Sequence, residues 1–275
     1  MLEWATDFFE RKGIPDPRHS IEWLLAETLG IKRLDLYLKF DRPLSPDELD
    51  TLRPMVKRRA QHEPLQYIIG FSDFMNARIR VNENVLIPRI ETEQLVEIIL
   101  DRHPGEEALD VMDLGTGSGC IPIALKMERP GWNVSGIDIS KEALELAEEN
   151  AAHNEVDVAF SEGDITAPDT ISPESPIDLL ISNPPYITYE EKDTLEPQVK
   201  EYEPEQALFC EDMEEMYGSI IRFASRNLAD SGSLYLELHE DHASQMLSLF
   251  DGNSWDAAIR NDYDKKPRFL IAKRT

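Results

Sequence analysis

A short polar turn, Asn183-Pro184-Pro185-Tyr186, follows a strongly apolar stretch of the chain. Each proline fixes its own φ angle and has no N–H group, so the turn is rigid and its carbonyl oxygens remain free to accept hydrogen bonds from a ligand. The side-chain oxygen of Asn183 and the carbonyl of Pro184 are therefore candidates for holding both N–H bonds of one planar NH2 group. For this tetrapeptide alone, a purely structural turn is the default interpretation.

A glycine-rich segment lies upstream, at residues 111–120, with the sequence VMDLGTGSGC. Glycine lets the backbone turn sharply and approach a ligand closely, and the helix that follows offers its N-terminus. The spacing is G-x-G-x-G, which differs from the G-x-G-x-x-G that cradles the pyrophosphate of a dinucleotide. The segment predicts a nucleotide-like ligand other than a dinucleotide, with candidate contacts from Asp113, Gly115, Thr116, Gly117, Ser118 and Gly119.

Acidic side chains end three successive predicted strands, at Asp113, Asp138 and Asp164. The carboxyl ends of parallel strands converge on one crevice, so these acids are expected to surround the ligand. S-Adenosylmethionine carries no phosphate and needs acceptors for its ammonium group and its ribose hydroxyls. Asp138 is placed to accept from the ribose hydroxyls and Asp164 from the adenine amino group. Any one of these acids is more often a turn or helix cap, but together they favour S-adenosylmethionine as the cofactor.

The turn at Asn183 and this cofactor site together predict methyl transfer to a planar amino nitrogen. Such a nitrogen attacks poorly because its lone pair is delocalised, and two fixed acceptors would direct it and stabilise the charge that develops on it. Tyr186 is expected to pack on the flat amide. Nitrogen, methyl carbon and sulfonium sulfur would be roughly collinear, and the reaction requires neither a metal nor a catalytic base.

Two pairs of motifs carry a resemblance to known families. The sequences DLGTGSG at 113–119 and SNPPY at 182–186 look like class I methyltransferases that act on planar amino groups, which include adenine N6, guanine N2 and glutamine N5 enzymes. The upstream segments QYIIGFSDF at 66–74 and VLIPRIETE at 85–93 resemble the release factor glutamine methyltransferase family (PrmC/HemK), whose pattern there is close to VLIPRPETE. The similarity spans nearly the whole chain.

This resemblance implies a Rossmann-like, seven-stranded methyltransferase domain with a small N-terminal helical domain. It implies transfer of a methyl group from S-adenosylmethionine to N5 of the glutamine in the Gly-Gly-Gln motif of class I peptide chain release factors, which act in translation termination. The substrate contacts of the family fall on the NPPY turn, and its cofactor contacts fall on Gly115 to Gly119, Asp138, Asp164, Ile165 and Asn183.

The chain departs from the family pattern at two places near the motifs. Ile90 stands where the family often has proline, and Leu238-His239 replaces a commoner Ile-Gly. Both departures affect loops beside the expected pocket and leave the motif cores intact. Arg89 and Glu91 are interpreted as structural braces rather than as catalytic groups.

The elements that must position these motifs form an α/β pattern. We predict a helical substrate-recognition domain at 1–72, a β-hairpin linker at 73–88 turning at 82–84, and a methyltransferase domain at 89–275, with 187–211 as a long irregular loop. Helices are expected from Leu2 to about His62, with Ser45 as an N-cap, and then at 91–102, 120–128, 141–153, 212–229 and 241–250. Seven strands are predicted, at 108–114, 133–138, 157–162, 178–182, 233–238, 256–261 and 268–272.

Composition restricts the class of partner and the location. The 275 residues contain 28 Lys and Arg against 54 Asp and Glu, a net charge of −26. Such a surface disfavours a nucleic-acid substrate, and the charge is interpreted as a solvated coat, of the kind adapted to high salt, in preference to an acidic binding surface. No apolar run approaches the roughly 18 residues of a membrane helix, so a cytoplasmic protein is expected. Cys120 and Cys210 are expected to be buried reduced thiols, and a monomer is the working expectation for the oligomeric state.

Two alternatives remain open from the sequence. A nucleic-acid or ribosomal RNA amino-group methyltransferase would share the pocket and the NPPY turn. Lys57, Arg58 and Arg59 could form a basic patch for it, but at helical spacing they are interpreted first as a solvated face. A non-catalytic binding module would keep the fold without the reaction, although intact Asn183 and Tyr186 speak against it.

Overall fold

The computed structural model describes residues 1–38, 42–105 and 107–275. Within these ranges the chain forms two compact units, Met1–Phe71 with Leu195–Tyr202, and Ser72–Thr194 with Glu203–Thr275. No helix in the described ranges has the length and apolar character needed to span a bilayer. Cys120 and Cys210 are free and buried, as predicted.

The helices, in chain order, are α1 Leu2–Arg11, α2 Pro17–Leu29, α3 Pro46–Arg59, α4 Leu65–Ile69, α5 Ile90–Arg102, α6 Cys120–Glu128, α7 Lys141–His153, α8 Pro197–Tyr202, α9 Glu205–Leu208, α10 Met213–Asn227 and α11 Ala243–Leu247. The strands are β1 Phe71–Phe74, β2 Ala77–Arg80, β3 Asp110–Leu114, β4 Asn133–Asp138, β5 Ala159–Glu162, β6 Ile177–Ser182, β7 Ile187–Thr188, β8 Phe209–Cys210, β9 Leu228–Glu237, β10 Trp255–Asn261 and β11 Pro267–Arg274.

The first unit is helical, as predicted. Its core is formed by side chains of α1 to α4, with Phe9, Ile21 and Leu52 fully or almost fully buried. Ser45 is the predicted N-cap of α3: its hydroxyl accepts from the Glu48 N–H at 3.3 Å, and the Glu48 carboxylate accepts from the Ser45 N–H at 2.8 Å. This reciprocal pair satisfies two N–H groups that a helix start would otherwise leave unpaired.

The predicted hairpin around residues 82–84 is wrong. Strands β1 and β2 pair with each other instead, and the chain reverses at Met75, whose φ of +52° is left-handed. The segment Val85–Ile87 is not a strand, because the Ile87 N–H donates to the carboxylate of Glu203 at 3.1 Å rather than to a neighbouring strand. An apolar run that satisfies its backbone with a side chain looks like a strand in the sequence.

The second unit contains the predicted seven-stranded sheet, in the order β10-β11-β9-β6-β3-β4-β5. Strands β3, β4, β5, β6 and β9 are parallel to their neighbours in that set, and β11 runs antiparallel to both β9 and β10. The fold is therefore α/β with a mainly parallel sheet. Strand β9 begins at Leu228, before the predicted start, and α11 is shorter than predicted.

Strands β3 and β6 lie side by side where the strand order reverses. From β3 the chain moves outward to β4 and β5 and then returns to β6 on the other side of β3. The register pairs Asp113 with Ile181 and Leu114 with Ser182. Ligands of open α/β sheets bind in the crevice at such a reversal, beyond the carboxyl ends of the strands.

The region predicted as a long irregular loop, 187–211, contains short ordered elements. Strands β7 and β8 pair in parallel, with Ile187 opposite Phe209 and Thr188 opposite Cys210. The Tyr189 ring stacks on Phe209 with centroids 5.1 Å apart. These elements are two to six residues long, too short for a hydrophobic period to show in the sequence.

Candidate active site

The glycine turn forms one wall of a cavity of about 860 Å³ in the second unit. Gly115 and Gly117 have φ angles of +73° and +53°, and a Cβ at either position would meet no atom within 4 Å. Both line the cavity, so the turn leaves open space for a ligand against its backbone. The N–H groups of Gly115 and Thr116 both donate to the Ile137 carbonyl, at 2.8 and 2.9 Å, which ties the turn to β4.

Asp138 lies at the end of β4 and holds the same turn from its side chain. One carboxylate oxygen accepts from the Gly117 N–H at 2.8 Å and the other from the Ser140 N–H at 2.9 Å. Burial raises the pKa of this carboxyl, and the two N–H donors oppose that rise. Each oxygen keeps a second lone pair, so Asp138 can still accept hydrogen bonds from a ligand in the cavity that it lines.

Asp113 and Thr116 carry buried polar atoms that form no hydrogen bond with the described residues. These atoms are both carboxylate oxygens of Asp113 and the hydroxyl of Thr116. Burial raises the pKa of Asp113 to about 7, with the nearby Thr116 hydroxyl opposing the rise and the Asp138 charge adding to it. Thr116 lines the cavity, whereas Asp113 is not among its lining residues. Buried groups without partners are rare, and the Thr116 hydroxyl, which lines the cavity, fits a site whose ligand supplies its partner.

The remaining predicted cofactor residues divide into those that line the cavity and one that does not. Ser118, Asp164 and Ile165 line it. Asp164 accepts from the N–H and hydroxyl of Thr166, at 2.8 and 2.6 Å, so it caps a local turn as well. Gly119 is absent from the lining. A Cβ there would lie 3.1 Å from the side chains of α7 and β5, which makes Gly119 a packing requirement of the turn.

The cavity is strongly acidic. Among the described residues that line it, seven are acidic and one, Arg89, is basic. The acidic residues are Glu83, Asp138, Glu142, Asp164, Glu211, Asp212 and Glu215. Such a lining disfavours phosphate-bearing ligands and favours a cationic one. S-Adenosylmethionine, with its sulfonium and ammonium charges, fits this lining and the unpaired buried acceptors.

The NPPY turn reaches the same cavity through part of its length. Asn183 and Pro185 line it, Pro184 is buried, and Tyr186 is not among the lining residues. The Tyr186 ring packs against the hydrophobic core and against His239, at 5.9 Å between ring centroids. Stacking of Tyr186 on a substrate amide therefore stays a prediction.

Two residues that the sequence analysis did not assign to the site contact the turn. The Asn183 Nδ2 group donates to the Thr92 hydroxyl at 3.1 Å, and that hydroxyl donates to the Glu237 Oε2 atom at 2.8 Å. Burial raises the pKa of Glu237 to about 7, while Thr92 and the charge of Arg268 oppose the rise. An acidic residue inside the apolar run LYLEL was the available signal, since Glu is almost never fully buried without partners.

The two departures from the family pattern lie next to this site. The Nδ1 atom of His239 accepts from the Asp241 N–H at 3.2 Å, so Nε2 carries the proton and faces the Glu191 carboxylate at 3.3 Å. His239 thus connects the Tyr186 ring to the segment after β7. Ile90 is exposed at the start of α5.

Arg89, just before α5, forms an ion pair with buried Glu203 at 2.5 Å. Together with the Ile87 N–H bond, this pair satisfies both oxygens of a carboxylate that burial would otherwise penalise. Arg89 thus braces the segment that leads into α5, as expected.

Comparison with known proteins decides the family. A model described as the PrmC N-terminal domain matches residues 1–70, and a methyltransferase domain model matches residues 106–266. A release factor glutamine methyltransferase from Leptospira interrogans is 38% identical over 279 aligned positions, covering 100% of this chain and 97% of its own length. One from Chlorobaculum tepidum is 40% identical, covering 98% and 95%. The chain belongs to the release factor glutamine methyltransferase family.

A solved structure supports the fold of this family member independently. A methyltransferase from Pyrococcus furiosus superposes with a TM-score of 0.52 at 15% identity, covering 72% of this chain and 88% of the other. At that identity the likeness concerns the fold alone. Together with the methyltransferase-domain match, this shows a chain with a Rossmann-like methyltransferase fold.

Replacing Asp113 with Asn is expected to stabilise the protein without cofactor, increasingly so at higher pH. Because the pKa of Asp113 rises from 3.8 to about 7 on folding, the folded state binds an extra proton and loses stability as pH rises through that interval. This rise in pKa corresponds to a loss of at most about 4 kcal/mol in the free energy of unfolding above pH 7. Thermal melting at pH 5 and pH 8, without cofactor, measures the effect.

The matched control for this experiment is the exposed carboxylate of Asp157, changed to Asn. It removes the same formal charge from the surface of the same unit, and its effect on the melting temperature should be small at both pH values. Either of two results would contradict the conclusion that burying the Asp113 charge lowers stability: a stabilisation by Asp113→Asn that is equal at pH 5 and pH 8, or a destabilisation that grows with pH.

Proposed function

We propose that this protein transfers the methyl group of S-adenosylmethionine to the N5 nitrogen of the glutamine in the Gly-Gly-Gln motif of class I peptide chain release factors. The main observation behind the proposal is that the glycine turn and the NPPY turn line the same cavity. Asn183 and Pro185 of the NPPY turn line the same space as Gly115, Gly117 and Asp138. Family membership supplies the substrate class, and the cavity supplies a place where the two reactants meet.

The cofactor would be held by residues that the sequence already indicated. The backbone of Gly115 and Gly117 leaves room for the methionine portion, and Asp138 accepts from the ribose hydroxyls. Asp164 and Ile165 lie where the adenine would be held. When bound, the cofactor supplies a methyl group on a positively charged sulfur. The acidic lining stabilises this positive charge in the ground state and also attracts the cofactor to the cavity.

The protein would prepare the substrate amide by hydrogen bonding. The Asn183 side-chain oxygen and the Pro184 carbonyl accept its two N–H bonds, which points the nitrogen at the methyl carbon and favours positive charge on the nitrogen. The bound cofactor would supply the methyl group: the amide nitrogen would form a bond to the methyl carbon as the carbon–sulfur bond broke, and the electron pair of that bond would stay on the sulfur. The nitrogen then loses one proton to solvent, so no protein base has to be protonated.

The lining of the cavity favours a protein substrate over a nucleic acid. Seven acidic side chains around the site would repel a phosphodiester backbone that approached the NPPY turn. A glutamine carboxamide is neutral and meets no such repulsion. The net charge of −26 acts in the same direction over the whole surface.

Recognition of the release factor is assigned to the helical N-terminal region, residues 1–72. Large apolar side chains are exposed there, with 55% of Trp4, 71% of Leu34 and 85% of Leu38 accessible. These exposed apolar side chains are available to a protein partner, which supports the assignment. Substrate capture by this region would be separate from the chemistry in the cavity.

Transfer of a labelled methyl group tests the activity. The protein should label purified release factor and leave RNA and DNA unlabelled, and Asn183→Ala should lower the rate about 10²- to 10³-fold, because it removes one preorganised acceptor. Asn76→Ala is the control, since Asn76 is exposed and lies outside the cavity lining. Labelling only of nucleic acid would refute the proposed substrate, and a near-normal rate for Asn183→Ala would refute the role of Asn183.

Changing Leu34 and Leu38 together to Ser should raise the KM for intact release factor roughly 30-fold, since each exposed leucine lost from an interface costs of the order of 1 kcal/mol. The kcat and the Kd for cofactor, measured by calorimetry, should stay unchanged. Leu2 and Leu36 pack partly against the core of the same unit, so a Ser pair there shows, by melting and by KM, the effect of lost stability without loss of this surface. A lower kcat with an unchanged KM would contradict the assignment of this surface to substrate capture.

A further inference from the structure

We propose that Thr92 and Glu237 are positioning residues that hold Asn183 with its side-chain oxygen turned toward the substrate amide. The proposal rests on the proposed function and adds two residues to it. Neither belongs to the NPPY turn or lies close to it in sequence, since Thr92 begins α5 and Glu237 ends β9. Both are buried, with exposures of 3% and 1%.

The need for positioning arises from the shape of the asparagine side chain. Its oxygen and its NH2 group have almost the same size, so the space around them does not decide which one faces the cavity. Only the hydrogen-bond partners decide. If the NH2 group faced the substrate, it would present donors to another NH2 group, and the amide would not be held. The oxygen must therefore face the cavity for Asn183 to accept.

Asn183 donates to Thr92, and Thr92 donates to Glu237, so both hydrogen bonds point toward Glu237. An ionised Glu237 can only accept, so the single hydrogen of the Thr92 hydroxyl is given to it across 2.8 Å. The Thr92 oxygen is then left with lone pairs alone, and it accepts from the Asn183 Nδ2 group across 3.1 Å. With Nδ2 fixed on Thr92, Oδ1 points the other way.

Above the pKa of about 7 for Glu237, its negative charge excludes the opposite orientation. If Thr92 gave its hydrogen to the Asn183 oxygen, the Glu237 carboxylate would face a hydroxyl lone pair at 2.8 Å in a buried site. A buried carboxylate that loses a hydrogen bond costs more than a neutral group in the same position. The carboxylate therefore sets the orientation of an amide that it does not touch.

The same carboxylate also reaches the other end of the turn. Its second oxygen, Oε1, accepts from the Tyr186 hydroxyl at 3.3 Å. The backbone carbonyl of Glu237 accepts from the Tyr217 hydroxyl at 2.7 Å, which fixes the end of β9 to α10. Glu237 thus holds the first and the last residue of the NPPY turn, Asn183 through Thr92 and Tyr186 directly.

We call the hydrogen bonds that join Asn183, Thr92 and Glu237 the relay. Substitution of Thr92 tests it, with assays at pH 8, above the pKa of about 7 for Glu237. Thr92→Val keeps the branched shape and removes the hydroxyl, and we expect kcat to fall about 10- to 100-fold, as when a buried hydrogen-bonding group loses its partner. The KM for release factor and the Kd for cofactor should change less than about threefold. Thr92→Ser restores the hydroxyl and should recover kcat to within about threefold of the parent.

The relay is overturned if Thr92→Val keeps the parent kcat, or if Thr92→Ser is as slow as Thr92→Val although both are folded. Either result leaves the proposed function standing as long as the parent labels release factor and Asn183→Ala does not. If Thr92→Val melts too low to assay, Thr92→Ala replaces it. It also lacks the hydroxyl that accepts from Asn183, so kcat should fall at least about tenfold. A parent-like kcat in that variant would equally overturn the relay.

Discussion

The parallel pairing of β3 with β6 is the constraint on which the site depends. It places the end of the strand before the glycine turn beside the end of the strand before the NPPY turn, with Leu114 opposite Ser182. The Ser182 hydroxyl also donates to the Leu114 carbonyl at 2.7 Å, which fixes the two ends to each other. A shift of one residue would reverse the faces of β6 and remove Asn183 from the cavity. This register, fixed by buried side chains, brings the two motifs to one cavity, where the proposed cofactor and substrate groups would meet.

Two electrostatic features of the second unit have separate roles, one in binding the cofactor and one in orienting the acceptor side of the site. The open cavity is lined by acids that suit a cationic methyl donor, and behind its wall one buried carboxylate, Glu237, orients the acceptor side of the site. Placing Glu237 in the core is costly, which its raised pKa reflects, and Thr92, Tyr186 and the charge of Arg268 offset part of that cost. Burial of Glu237 lowers the stability of the folded protein, and it occurs where the proposed reaction needs a fixed direction of hydrogen bonding.

The sequence predicted the local parts of this architecture and not the long-range contacts. Strand β4 and helices α6 and α7 have the predicted bounds, because apolar periodicity is a local signal. The hairpin was wrong because Val85–Ile87 bonds to a distant side chain. The bond between Thr92 and Glu237 joins residues 145 positions apart, and no periodicity indicates which buried acid meets which hydroxyl. Motif residues could be named from the chain, whereas the groups that orient them required the fold.

A crystal structure with S-adenosylhomocysteine and a peptide containing the Gly-Gly-Gln motif tests the central claim most directly. The account predicts the glutamine amide nitrogen within about 3 Å of both the Asn183 side-chain oxygen and the Pro184 carbonyl, with Asn183 Nδ2 still on Thr92. It also predicts that this nitrogen faces the cofactor sulfur. An amide bound with Asn183 and the Pro184 carbonyl both turned away from it would contradict the account.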